Sequence, residues 1–167
     1  MGGFSVVILM GLFFMAGLFL VAFLAAVVIY TVISYVFDGI SFMCMGKSLG
    51  YKNVFTAWIP FYNKYLLGKI SGDPVFGAAS CVLSLVPVIM GLVFYFYAEA
   101  GIVLLVVSAV SLIVVFICDT FMCQKIYRSR AEKYGDLLMI FHAITLGLLR
   151  PIFLFALRNK PIKENAK

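Results

Sequence analysis

NVFTAWIPFYNKYLLGKISGDP, residues 53–74, is the stretch of the chain that decides the fold. It is too polar to cross a membrane and too aromatic for an ordinary loop. Its aromatic rings and lysines favour the headgroup layer of a bilayer, since such side chains have an apolar part and a polar end. We therefore predict an interfacial element over residues 53–72, with membrane-embedded helices around it. The predicted interfacial anchors are Trp58, Pro60, Tyr62, Asn63 and Tyr65.

A proline divides this element. Pro60 disfavours helical geometry at Ile59, so the element is predicted to break there. A short helix over residues 61–70 is predicted to follow.

The composition indicates an integral membrane protein. Apolar residues make up 65% of the chain and charged residues 12%, which is far from the balance of a soluble domain. The net charge of +6 lies mostly in short segments between apolar runs. Such placement governs orientation in a membrane and favours the lipid bilayer, not nucleic acid, as a partner.

Four apolar runs predict an all-α bundle of about four membrane-embedded helices in one domain, residues 1–167. The predicted helices are 4–45, 75–97, 102–124 and 137–157, and a basic tail over 158–167 follows. At about 1.5 Å per residue, the first would reach roughly 60 Å, twice the hydrocarbon thickness. It must tilt, bend or continue out of the bilayer. It is also too long for a cleavable signal, so we expect it to remain as an anchor.

Polar side chains follow one face of the first predicted helix. Thr31, Ser34, Asp38 and Ser41 are spaced by three, four and three residues, which places them on one side. Two interpretations are open: a packing seam against another helix, or the wall of a polar path.

Small residues predict close packing of the next two helices. Asp73 and Pro74 are a typical helix start. The turn around Glu99 is so short that the two helices must run antiparallel side by side. The residues predicted at this packing surface are Gly77, Ser80, Ser84, Gly91, Ser108 and Ser111.

Three further ionisable groups lie in or beside the apolar runs: Asp119, His142 and Arg150. Asp119 and His142 are predicted at a similar depth, about 9 Å inside the boundary, so a carboxylate–imidazole pair is expected. Such a pair either fixes two helices together or, with Asp38, carries a proton or cation.

The basic residues conflict with four spans. Lys and Arg are concentrated around residues 47–69 and 125–133, and none precedes the first run. The positive-inside rule then places the amino terminus outside and both basic loops in the cytoplasm. Four spans would put the basic tail outside, whereas a re-entrant last run, turning at Arg150, would keep it inside. The 21-residue length of that run favours a span, with Arg150 snorkelling to the outer surface.

No catalytic motif is present. The sequence has no His-Glu-x-x-His, no Gly-x-Ser-x-Gly and no phosphate-binding glycine loop, and its four cysteines have no Cys-x-x-Cys spacing. We therefore expect no enzyme, no cofactor and no metal, and interpret the cysteines as small buried thiols. The favoured hypothesis is an accessory or scaffold subunit that binds another membrane protein, and self-association is the other possible protein contact. The alternative is a small oligomeric transporter or channel that uses the buried Asp and His.

One motif resembles a known group of proteins. Residues 46–72, with the core Ile59-Pro-Phe-Tyr-Asn63, resemble small bacterial membrane proteins of unknown function. Pro151 and the closing residues 152–157 look similar to the end of those proteins, whereas Arg150 departs from their pattern. The resemblance implies a bacterial inner-membrane protein and implies no activity.

Overall fold

The computed structural model describes residues 2–96, 101–131 and 133–161, and every regular element within those ranges is helical. Six α-helices and one 3-10 helix follow each other along the chain. They are α1 (Gly2–Ser48), the 3-10 helix (Val54–Trp58), α2 (Tyr62–Ser71), α3 (Pro74–Phe96), α4 (Gly101–Arg130), α5 (Gly135–Ile144) and α6 (Arg150–Leu157).

Three of the described helices are long and apolar enough to cross a membrane: Leu9–Ser48, Pro74–Phe96 and Gly101–Arg130. This confirms the all-helical class and is consistent with a membrane location. The fold divides into two compact units, Met1–Val36 and Phe37–Lys167. In the first unit, the side chains of residues 9–33 are exposed, and none of them is charged.

The last apolar run is not one helix, so the prediction of a single helix over 137–157 is wrong. Thr145–Leu149 interrupts it between α5 and α6, and Leu146 and Gly147 there have positive φ angles of 50° and 82°. Pro151 suits the first turn of α6, where its missing N–H costs no helical bond. Each piece, of 10 and 8 residues, is shorter than the roughly 20 residues that a helical span needs.

The second unit is built around α2 and α4. The buried apolar core joins the end of α1 to α2, α4 and α6, with Phe42, Leu67, Met122, Tyr127 and Leu154 among its most buried members. The helix α4 continues past its predicted end at Gln124 to Arg130, because Ile126 and Tyr127 are buried in this core. The predicted second basic loop is therefore helical over its first half.

Two glycines bring α2 and α3 into backbone contact. A Cβ atom on Gly77 would lie 2.7 Å from the Cα atom of Gly68, closer than real Cβ contacts. Gly72, with φ of 86°, ends α2 in the left-handed conformation, and Pro74 begins α3 as predicted. The short, tight connection therefore presses the predicted interfacial helix against the first turn of a long apolar helix.

Candidate functional site

The polar face of α1 is only partly buried. Asp38 and Ser41 belong to the second unit and are buried there, and the Ser41 hydroxyl donates to the Phe37 carbonyl at 2.5 Å. Thr31 is exposed and donates to the Val27 carbonyl at 2.8 Å, and Ser34 is half-buried. Of the four predicted residues, only Asp38 reaches the charged groups described next.

A cluster of charged side chains lies inside the second unit. We define the ion cluster as Asp38, Lys64, Asp119 and Arg150. The Arg150 guanidinium bridges the two carboxylates: one nitrogen donates to Asp119 Oδ2 at 2.7 Å and the other donates to Asp38 Oδ2. The Lys64 ammonium pairs with the same Asp119 oxygen, and Ser80 Oγ donates to Asp119 Oδ1 at 2.8 Å. The cluster therefore connects the end of α1 with α2, α3, α4 and α6.

The charges of the ion cluster balance inside the protein. Two carboxylates face one ammonium and one guanidinium, and side-chain exposure is 5% for each Asp, 15% for Arg150 and 19% for Lys64. Burial, and then the positive charge of Arg150, lower the pKa of Lys64, although Asp119 opposes that shift. Burial also acts to lower the pKa of Arg150, but Asp38 and Asp119 outweigh it and raise that pKa. The two carboxylates thus favour the charged forms of both basic groups and oppose the effect of burial.

One oxygen of the ion cluster is buried without a donor among the described residues. Asp38 Oδ1 accepts no hydrogen bond from any of them, whereas Asp38 Oδ2 is bonded by Arg150. A buried acceptor without a donor is costly, and it marks the place where a water, proton or cation would be stabilised.

His142 lies outside the ion cluster. Its Nδ1 is 3.2 Å from the Tyr127 hydroxyl and its Nε2 is 3.5 Å from the Thr120 hydroxyl, while Asp119 is bonded by Lys64, Arg150 and Ser80. The expected Asp119–His142 pair is therefore replaced by two separate polar contacts. Burial, and next the charge of Arg150, lower the pKa of His142 to about 4, so the imidazole is neutral near pH 7.

Arg150 and Lys64 occupy positions that the sequence interpretation did not expect. Arg150 does not snorkel to a surface; it begins α6 and points into the ion cluster. Lys64 was interpreted as a headgroup-layer lysine, but it is mostly buried against Asp119. The spacing along α2 could have indicated this burial. Lys64 precedes the buried Leu67 and Gly68 by three and four residues, so it lies on the same face of the helix.

The interfacial element has the predicted break but is more deeply packed than expected. Ile59 is extended (φ −85°, ψ 119°), and α2 begins two residues after Pro60. Trp58 is half-buried, and a Cβ atom on Gly39 would lie 3.1 Å from its ring. The other anchors remain nearer the surface: Pro60 and Tyr62 are exposed, and Asn63 and Tyr65 are half-buried.

The predicted packing residues separate into covered and uncovered groups. Gly77, Ser80 and Ser111 are buried, and Ser84 and Ser108 are half-buried. Gly91 is exposed, and nothing in the described part of the chain lies within 4 Å of a Cβ atom built on it. Of all pairs of described elements, α3 and α4 have the most extensive contact. The turn around Glu99 that was predicted to connect them lies outside the described residues.

The cysteines form no disulfide and no metal-binding group among the described residues. All four cysteines are free thiols, with Cys118 and Cys123 buried and Cys44 and Cys81 half-buried. Within residues 2–96, 101–131 and 133–161, no three His, Cys, Asp or Glu residues are grouped as metal ligands would be.

Comparison with known proteins adds no assignment. No family model matches the chain, and neither a curated protein nor a solved structure is significantly similar to it.

Proposed function

We propose that this chain is a non-enzymatic accessory or scaffold subunit that binds another membrane protein inside the bilayer. The observation that carries the proposal is a set of uncovered glycines on long apolar helices. Gly11, Gly17 and Gly91 have nothing within 4 Å of a built Cβ atom among the described residues. Glycine positions let a second helix backbone approach closely in lipid, where close packing drives association.

The ion cluster supports the same proposal. A transport site needs ionisable groups that exchange partners with a cargo, but Lys64, Asp119 and Arg150 are already bonded to one another. Their balanced charges hold several helices of one unit in place, which suits a scaffold.

The proposed location is a bacterial inner membrane, with the amino terminus outside and the basic segments in the cytoplasm. Two contacts between helix ends support a common basic side. Asp73, before α3, pairs with Lys125 near the end of α4, and Arg130 donates to the Ser48 hydroxyl at the end of α1 at 3.1 Å. With α1, α3 and α4 as the spans, the basic tail lies on this side too, so the conflict of four spans disappears.

Purification in mild detergent tests the proposal. We expect a second membrane protein to co-elute in a fixed ratio, and a Gly91→Leu variant to lose it. Ala109→Leu is the matched control, since Ala109 is an exposed small residue on α4. Both variants should keep the helical circular dichroism of the wild type. A lone monomer, or equal loss of the partner in both variants, would contradict the proposal.

Transport remains a second candidate because of Asp38. Among the described residues, its Oδ1 is a buried side-chain oxygen without a hydrogen-bond donor, which suits a proton or cation. After reconstitution into liposomes, proton uptake that is abolished in Asp38→Asn and retained in Ser41→Ala would favour transport over the accessory function.

A further inference from the structure

A polar pocket lies beside the predicted interfacial element, away from the ion cluster. Its volume is about 260 Å³, just below the roughly 300 Å³ at which pockets for drug-sized ligands begin. Three segments line the pocket. The first is Tyr51 and Lys52, just after α1, and the second is Thr56 of the 3-10 helix. The third is Tyr62 and Lys69 of α2. No acidic residue lines it.

The two lysines of this pocket keep their charge uncompensated. Neither Lys52 nor Lys69 forms an ion pair with any residue that the structure describes. Because no acidic residue is among those that line the pocket within the described part of the chain, these two ammonium groups make it a positive site.

Aromatic contacts hold one of these lysines in place. The Lys69 ammonium lies 5.6 Å from the ring centroid of Tyr51 and 5.4 Å from that of Tyr65, within cation–π range. The Tyr51 hydroxyl donates to the Lys69 carbonyl at 3.0 Å, which ties the wall after α1 to α2. The two rings thus position the Lys69 ammonium while its N–H groups stay available to donate hydrogen bonds to a ligand.

The pocket stands where two apolar helices end. It lies in the connection between Ser48, the last residue of α1, and Pro74, the first residue of α3. Each of these two residues is the end of a candidate membrane span. In a bilayer this is the depth of the lipid headgroups. Leu66 adds an apolar side chain to an otherwise polar lining, as a site at the boundary of the acyl chains requires.

From this geometry we propose that the pocket binds a phosphate group, as carried by an anionic phospholipid headgroup or by a soluble phosphate ester. Two ammonium groups match a phosphate in charge, and the hydroxyl of Tyr62 and the side-chain amide of Asn53 offer further donors. The Thr56 hydroxyl donates to the Asn53 carbonyl at 2.7 Å, which fixes this part of the wall. The phosphate site is separate from the surfaces assigned to a protein partner.

Titration with short-chain lipids tests the phosphate site. Trp58, the single tryptophan, follows Thr56 by two residues and reports binding by its fluorescence in a neutral detergent. We expect short-chain phosphatidylglycerol to bind more tightly than a short-chain diacylglycerol, which has no phosphate. The double variant Lys52→Gln/Lys69→Gln should weaken that binding by about tenfold or more, since it removes both ammonium groups that face the phosphate.

Lys47→Gln is the matched control, because Lys47 is exposed at the end of α1 and does not line the pocket. Equal affinity in the double variant and the wild type, or equal affinity for both lipids, would overturn the proposal. Lys52→Glu gives an independent variant on an exposed side chain if the double variant fails to fold. Displacement of the lipid by glycerol phosphate would assign the site to soluble esters as well, and lipid binding without displacement would assign it to the headgroup.

Discussion

At the scale of single residues, Asp119 holds the ion cluster together. Its two oxygens accept from Lys64, Arg150 and Ser80, so its charge compensates two buried cations. A buried ion pair adds little stability compared with a well-packed apolar pair, but removing one partner leaves an uncompensated charge in the interior.

Asp119→Asn is therefore expected to destabilise the protein by about 3 kcal/mol or more, and not merely to disturb a proton path. The double variant Asp119→Asn/Lys64→Gln restores a balance of one carboxylate and one guanidinium, so it should be more stable than Asp119→Asn alone. Chemical unfolding in detergent measures the free energy of unfolding of the single and double variants. If the losses of the two single variants simply add in the double variant, Lys64 and Asp119 do not interact.

His142 gives the fold a predicted pH dependence. Its pKa is about 4 in the fold and about 6.5 when unfolded, so below pH 6.5 the unfolded state takes up more protons. Stability is then fully present above pH 6.5 and falls as the pH falls towards 4. We expect a loss of roughly 2 kcal/mol between pH 7 and pH 5, a window above the ordinary carboxylate range. Thermal unfolding of the wild type should show this loss, and His142→Gln should remove most of it.

At the scale of elements, the short helices determine how the long ones meet. Backbone contact between Gly68 and Gly77 joins α2 to α3, and the break at Thr145–Leu149 lets α6 begin with Arg150 inside the ion cluster. An unbroken last helix would be a candidate span. Because the run is divided into two short helices, α5 packs against α4 and Leu154 of α6 is buried in the core.

Gly77→Ala should force α2 and α3 apart, because the new Cβ atom meets backbone that cannot rotate away. We expect a loss of about 1–3 kcal/mol, typical of overpacking. Gly91→Ala is the control on the same helix, where the Cβ atom enters open space and alanine is the better helix former. Midpoints of thermal unfolding compare the two, and an unchanged midpoint in Gly77→Ala would contradict the close contact.

At the scale of the whole molecule, the number of spans decides on which side of the membrane the carboxyl tail lies, and three spans and four spans predict opposite sides. In the orientation that we propose, with the amino terminus outside, three spans would return the chain to the cytoplasm, where the positive-inside rule places its basic residues. In that proposal the short helices α5 and α6 add no crossing.

A reporter that becomes fluorescent only in the cytoplasm, fused after Lys167, should therefore be fluorescent in bacterial cells. The same reporter inserted after residue 98, between α3 and α4, should be dark. A dark fusion at Lys167 together with a fluorescent insertion after residue 98 would reverse the proposed orientation. Darkness at both positions would mean that residues 135–157 cross the membrane.

Much of the fold follows from local pattern. The lengths of the apolar runs predict three of the long helices, Pro60 predicts the break before α2, and Pro74 predicts the start of α3, because chain stiffness and hydropathy act over a few neighbouring residues. The small residues of α3 and α4 likewise predict that these two helices pack together. The all-helical class and the three helices long and apolar enough to span a membrane are therefore determined by the sequence alone.

The partners of the charged residues were decided only by the tertiary structure. Asp38 and Arg150 lie 112 positions apart in the chain, and no local pattern states which distant cation a buried carboxylate meets. The sequence places Lys64 on the face of α2 that carries Leu67, but only the packing of α2 against α3 and α4 brings it to Asp119. Desolvation is the physical reason: an interior charge is stable only beside its counter-charge, and that neighbour is chosen by the packing of the whole bundle.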